Sequence, residues 1–150
     1  MCIQRYVREE QIDMGNNEKI IRTIQFAQLP TILSFGIQRT LFGQDGTVEK
    51  SSIAIDLPET IDMSPFIAQP ILNIHQGKQW SSYNYSLYAI VYHIGNLHGG
   101  HYIVEVWNDK ISKWIEINDT MIRLMSDGPD PNKSKFIYAA FYQRIYERGG

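Results

Sequence analysis

The sequence predicts an α+β fold that is mostly antiparallel β, and three observations carry that expectation. Short runs rich in aromatic and β-branched residues alternate apolar with polar positions. Clusters of Gly, Asn, Asp and Pro punctuate these runs with turn chemistry. Between Tyr85 and Ile117 three such runs follow one another through short turns, the pattern of a β-meander.

Taken in order, residues 1–19 are polar and charged, with Arg8-Glu9-Glu10 and Asn16-Asn17-Glu18, and little regular structure is expected there. Thr31 to Arg39 sets Leu33, Phe35 and Ile37 on one face of a half-buried strand. Gly43-Gln44-Asp45-Gly46 reads as a turn, and Ser52 to Leu57 as a further strand closed by Pro58. Asp62 to Ile67 can hold one short helical turn, and His75 to Asn84 reads as an exposed loop. The meander then begins with Tyr85 to Ile94, turns through Gly95 to Gly100, and returns as His101 to Trp107. Asn108 to Ser112 makes the second turn, and Lys113 to Ile117 the third strand, ending at Asn118-Asp119. A last strand, Phe136 to Gln143, follows a loop held by Gly128, Pro129 and Pro131. No internal repeat or low-complexity segment interrupts this order.

Composition narrows the function. A chain of 150 residues, 43% apolar and 20% charged, is one globular domain or part of a larger one. Fourteen basic against sixteen acidic residues leave a net charge of −2, so neither a nucleic acid nor a membrane is an expected partner. No apolar run could span a bilayer, and Met1-Cys2-Ile3-Gln4-Arg5 lacks the apolar core of a signal peptide, which points to cytoplasm or nucleus. Cys2 is the single cysteine, which excludes an internal disulfide and a paired-cysteine zinc site. Near a terminus it reads as an incidental thiol.

The chemistry concentrates between His93 and Trp107, where three of the four histidines surround Gly99-Gly100. A turn centred near Lys110 would pair Trp107 with Lys113 and His101 with Asp119, leaving Asn118 one step away. His101 would thus open one strand where Asn118 and Asp119 close its neighbour. An imidazole beside a side-chain oxygen acceptor has its tautomer and orientation fixed for general-base work. A surface polar cluster around a turn-forming amide explains the same residues. A metal site would draw on His93, His98 and His101, joined by Glu105, which shares a strand face with His101. His98 and His101 are an odd step apart across two glycines, and no second cluster of ligands completes a shell. No metal or other cofactor is expected.

Three segments taken together resemble the histidine box of the ubiquitin-specific proteases: Tyr85 to Gly95, then Gly100-His101-Tyr102, then Trp114 to Asp119. The similarity extends upstream through Leu29-Pro30, Ile32, Leu33, Arg39, Lys50 and Leu57-Pro58, and downstream through Tyr138 to Tyr142. It divides the chain into a poorly defined segment 1–28, the C-terminal half of a catalytic domain over 29–144, and a tail, 145–150. The resemblance implies the palm-like sheet of a papain-like cysteine protease, present as a partial domain, that cleaves after ubiquitin's C-terminal glycine. His101 would be the catalytic histidine, Asn118 the third member of the triad and Asp119 its acidic neighbour. Gly95, Asn96, His98, Gly99, Gly100 and Tyr102 would lie along ubiquitin's tail, and the loop around His75 to Ser82 would be its companion. Glycines suit such a channel because they carry no side chain to block an extended peptide. The implied partners are ubiquitin or a ubiquitinated protein, and a Cys-containing lobe.

The departures from the family pattern bear on activity. The Asn/Gly-rich segment that ends in the nucleophilic cysteine is not among these residues, and Cys2 lacks its surroundings. Thr40 stands where an aromatic residue commonly follows the matching Arg39, and the paired zinc cysteines are absent. Without a thiol the chain alone is expected to be inactive, because neither His101 nor Asn118 can form the acyl intermediate. It would then be half of a deubiquitinating enzyme, from a truncated gene model, a separate exon product or a split protein. The alternative is a catalytically inactive ubiquitin-binding fragment.

Overall fold

The computed structural model describes residues 9–15, 18–68, 83–126 and 128–146. Eleven strands and two short 3-10 turns occupy these residues, so the predominance of antiparallel β is as the sequence patterning requires. They form two compact units, described separately.

The smaller unit is built from residues 1–30, 62–84 and 145–150. Its hairpin pairs β1 (Glu9–Asp13) with β2 (Lys19–Thr23), although the polar composition of this region suggested little structure. Arg22 and Glu10, directly opposite each other in the register, form an exposed ion pair across the hairpin. Further along, Phe26 bridges to Ile67, just past a 3-10 turn at Ser64–Phe66, which matches the single helical turn expected there. Met63 and Ile67 are its most buried side chains. The exposed loop expected from His75 to Asn84 falls mostly outside the described residues.

The larger unit, residues 31–61 and 85–144, carries the main sheet. Its strands lie in the order β10 (Met121–Leu124), β9 (Lys113–Asn118), β8 (Gly100–Asn108), β7 (Asn84–Gly95), β11 (Ile137–Arg144), β3 (Ile32–Gly36), and β6 (Thr60–Asp62) also pairs with β7. Leu33, Phe35 and Ile37 are the half-buried positions of the β3 region, as their alternation predicted. The core centres on Ile90, Tyr92 and Ile137, with Ile37, Ile55, Leu57, Leu87 and Phe136 packed against them. Burial of such side chains from water is what holds the sheet.

The strand expected at Ser52 to Leu57 is not formed. Instead β4 (Thr40–Phe42) and β5 (Val48–Lys50) make a hairpin around the Gly43–Gly46 turn, and the chain after Lys50 runs irregularly. Arg39 explains the difference. Its buried guanidinium donates to the carbonyls of Ser51 (3.2 Å), Ile53 (2.8 Å), Ser134 (3.3 Å) and Ile137 (2.7 Å). The amide of Ile55 bonds to Ser134 O at 3.3 Å. Backbone groups that a ladder would have used are taken up by one side chain and one loop, so the accounting closes without a strand.

Candidate active site

The site rests on the hairpin of β8 and β9. Its turn occupies Asp109 to Ser112, four residues with Ser112 at φ 51°, so Asn108 pairs with Lys113 and Trp107 with Trp114. The register is therefore one residue away from the pairing of Trp107 with Lys113 that a turn centred on Lys110 implied. That shift matters because side chains alternate between faces. Pairing His101 with Asp119 would have put Asn118 on the opposite face of the sheet. In the observed register Asn118 falls on the face that carries His101, Ile103 and Glu105.

The consequence is a direct hydrogen bond: His101 Nε2 lies 2.6 Å from Asn118 Oδ1. An amide oxygen only accepts, so Nε2 carries the proton and Nδ1 holds the lone pair. Asp119 begins the two-residue turn between β9 and β10, at φ 51°, a conformation that Asp tolerates better than most residues. Its Oδ2 is 3.9 Å from His101 Nε2, beyond hydrogen-bond reach, and its side chain is 76% exposed. Asn118 thus orients the ring, and Asp119 adds only a nearby negative charge. The imidazole is 45% exposed, open to a reacting partner.

Beside His101, the Gly95–Gly100 loop is folded on itself. Asn96 N donates to Gly99 O at 2.9 Å, and Asn96 Oδ1 accepts from His98 N (2.9 Å) and Gly99 N (3.1 Å). Gly95 sits at φ 141°, and a Cβ there would overlap Gly99 O. Gly99 faces open space, whereas a Cβ on Gly100 would overlap Nε2 of His93 and Ile94 O. The two glycines therefore answer to different needs. Gly100 is small because a histidine packs on it, and only Gly99 is small where nothing inside the protein demands it.

His93 and Tyr102 are paired across β7 and β8 and lie on the face opposite His101. Their rings are 4.7 Å apart, and Tyr102 also meets Tyr138 at 5.5 Å. Tyr102 is 52% exposed, but on that other face. This placement separates His93 from His101 as joint metal ligands. Glu105, fully buried, is engaged by Tyr92 OH at 2.6 Å and Lys133 Nζ at 2.6 Å. No group of three or more potential metal-binding side chains occurs among the described residues.

Two features went unread in the sequence. Lys133 binds Glu105 and Glu116 together, although Lys133 lies in the 3-10 turn at Pro131–Phe136, well beyond the meander. A cavity of about 860 Å³ opens over Leu87, Ile90, Tyr92, Trp107 and Trp114, and none of the predicted site residues lines it. Spacing alone could not flag the first, since Glu105 and Glu116 stand opposite each other only in the observed register and a one-residue slip sends them to opposite faces.

Comparison with known proteins agrees with this architecture. The family model for ubiquitin carboxyl-terminal hydrolase matches residues 3–142. The nonstop ubiquitin carboxyl-terminal hydrolase of Drosophila melanogaster is 29% identical over 135 residues, covering 83% of this chain and 25% of that protein. Ubiquitin carboxyl-terminal hydrolase 10 of Mus musculus is 25% identical over 130 residues, covering 85% of this chain and 16% of that protein. This chain therefore spans a quarter or less of these relatives. The SAGA DUB module containing Ubp8, Sgf11, Sus1 and Sgf73, solved bound to ubiquitin aldehyde, superposes with a TM-score of 0.68 at 20% identity, over 98% of this chain and 33% of the matched one. The same module without that ligand gives 0.70 at 20% identity, over 98% and 30%. With its sheet on a papain-like plan and nearly its whole length matched, this chain belongs to the ubiquitin carboxyl-terminal hydrolase family.

Proposed function

We propose that residues 29–144 are the C-terminal, acid–base half of a deubiquitinating cysteine protease that hydrolyses the bond after ubiquitin's C-terminal glycine. The observation that carries this is the 2.6 Å bond from His101 to Asn118, which leaves Nδ1 as a base on an exposed ring. A thiol supplied by a Cys-containing lobe outside these residues gives its proton to Nδ1, and the thiolate attacks the glycine carbonyl carbon. As the tetrahedral intermediate collapses, the imidazolium returns that proton to the leaving lysine amine, and a thioester remains. Water, deprotonated by the same nitrogen, then attacks the thioester and releases ubiquitin's carboxylate and the thiol. Asn118 keeps the ring in the tautomer that every step requires, and Asp119 favours the transient imidazolium. Gly95, Asn96, His98, Gly99 and Gly100 line the path of ubiquitin's tail, with Tyr102 supporting the loop from behind. The site of action on this reading is the cytoplasm or nucleus.

The test is a titration of the isotope-labelled chain with intact ubiquitin and with ubiquitin lacking its last two glycines. Amide signals from Gly95 to His101 are expected to shift with the intact protein and not with the shortened one. Unchanged signals at the highest soluble ubiquitin concentration would overturn the reading.

A further inference from the structure

Lys50 ends β5, and its ammonium has three N–H donors. All three are spent at one place: His93 Nδ1 at 2.8 Å, His93 O at 2.9 Å and Gly95 O at 2.8 Å. These acceptors belong to the last residues of β7, where the chain leaves the sheet for the Gly95–Gly100 loop. The His93 ring continues the contact, for it lies against Gly100, which directly precedes His101. One side chain from a separate hairpin therefore grips the loop at its root and, through an imidazole, at its far end.

The grip depends on protonation. To accept from an ammonium, His93 Nδ1 must be bare. Burial and then the Lys50 charge hold the His93 imidazole below the ordinary histidine range. Burial and then the Arg39 charge likewise lower the Lys50 ammonium, yet lysine's ordinary range leaves it charged at neutral pH. The other titratable groups around His93 are Tyr102 from β8 and Tyr138 from β11, the latter 6.1 Å away, ring to ring. Because the His93 shift is downward, the bond is intact at neutral pH and is lost as acidification adds a proton at Nδ1. A donor then faces a donor, and two cations oppose each other.

We propose that Lys50 and His93 are positioning residues for the Gly95–Gly100 loop, and that protonation of His93 releases the loop from its seat beside His101. The proposal rests on the reading of that loop as the path of ubiquitin's tail. It predicts that affinity for the tail falls about tenfold as His93 protonates, the weight of one charge-assisted hydrogen bond.

A pH titration of the whole chain by NMR tests it without ubiquitin. The amides of Asn96 to Gly100 are expected to move with the midpoint of the His93 ring, below that of an ordinary histidine. K50M should raise the His93 midpoint and speed amide exchange across the loop about tenfold, while K50R, which keeps a charged donor, should restore both. Loop amides that follow the His98 or His101 midpoint, or a K50M protein with wild-type His93 titration and loop exchange, would overturn the proposal. Should K50M fail to fold, the wild-type titration decides alone. Ubiquitin binding is then measured separately: no binding to the wild type defeats the functional reading and leaves the loop coupling to stand or fall on its own titration.

Discussion

Two polar clusters lie on the same face of the β8–β9 pair, one inside the ladder and one at its open end, and the fold treats them in opposite ways. In the inner cluster Glu105 and Glu116 stand directly opposite each other, a repulsive arrangement if left alone. Lys133 inserts between them, Tyr92 OH and Asp130 N complete the bonds to Glu105, and Arg123 holds Glu116 at 3.2 and 3.1 Å. At the open end His101 has Asn118 on one nitrogen, and its ring is 45% exposed. The inner cluster is closed and satisfied, so it can only hold structure. The outer one is oriented but incomplete, which is what a catalytic base requires.

Substitutions in the two clusters should therefore separate stability from chemistry. Glu105→Ala leaves the Lys133 ammonium, 14% exposed, without one of its carboxylates and strands Tyr92 OH, at a cost of about 3–5 kcal/mol in urea unfolding. A loss below about 1 kcal/mol would mean that the network is solvated. Next to the open end, the glycine pair offers a finer contrast. Gly100→Ala must displace the His93 ring and the Ile94 carbonyl, costing about 1–3 kcal/mol. Gly99→Ala meets nothing within 4 Å and should stay within about 0.5 kcal/mol of wild type in the same urea unfolding experiment.

Acid sharpens the inner cluster further. Hydrogen bonds from Arg123 and then Lys133 hold the Glu116 carboxyl below its ordinary range, against the opposing effect of burial. A depressed carboxylate adds stability above the unfolded-state pKa of about 4.5 and loses it as pH falls through the folded value. Arg123→Met should accordingly destabilise the fold slightly at pH ~7, Arg123 being largely exposed, and converge on wild type near pH ~3. A difference that persists in acid would assign the loss to packing instead of charge. The smallest stability effect belongs to the open end: His101→Ala should fall within about 0.5 kcal/mol of wild type. Joined to a cysteine-bearing lobe, the same substitution should lower hydrolysis of a ubiquitin amide about 10²-fold or more.

Much of this was legible in the sequence, for reasons that are local. Turn residues marked the hairpins, alternation marked the buried face of β3, aromatic and β-branched content marked β7, and the spacing of His101 from Asn118 brought two strand ends together. What escaped was set by tertiary contacts. The segment after Lys50 has strand-like residues, but the guanidinium of Arg39 claims its carbonyls. The β1–β2 hairpin forms from polar residues through cross-strand pairing that composition does not advertise. The register of β8 and β9 turned on one residue in a four-residue turn, which decided whether Asn118 or Asp119 shared a face with His101. Nothing local ties Lys133 to Glu105 and Glu116, because that contact joins residues 28 and 17 positions apart in sequence.

The central claim is that Asn118 holds the His101 ring with its proton on Nε2 and its base on Nδ1. Long-range proton–nitrogen NMR of the imidazole at neutral pH reads this directly. The account predicts an Nε2-protonated ring in the wild type, with that preference lost in Asn118→Ala while the fold persists. An Nδ1-protonated ring, or a tautomer indifferent to Asn118→Ala, would contradict it.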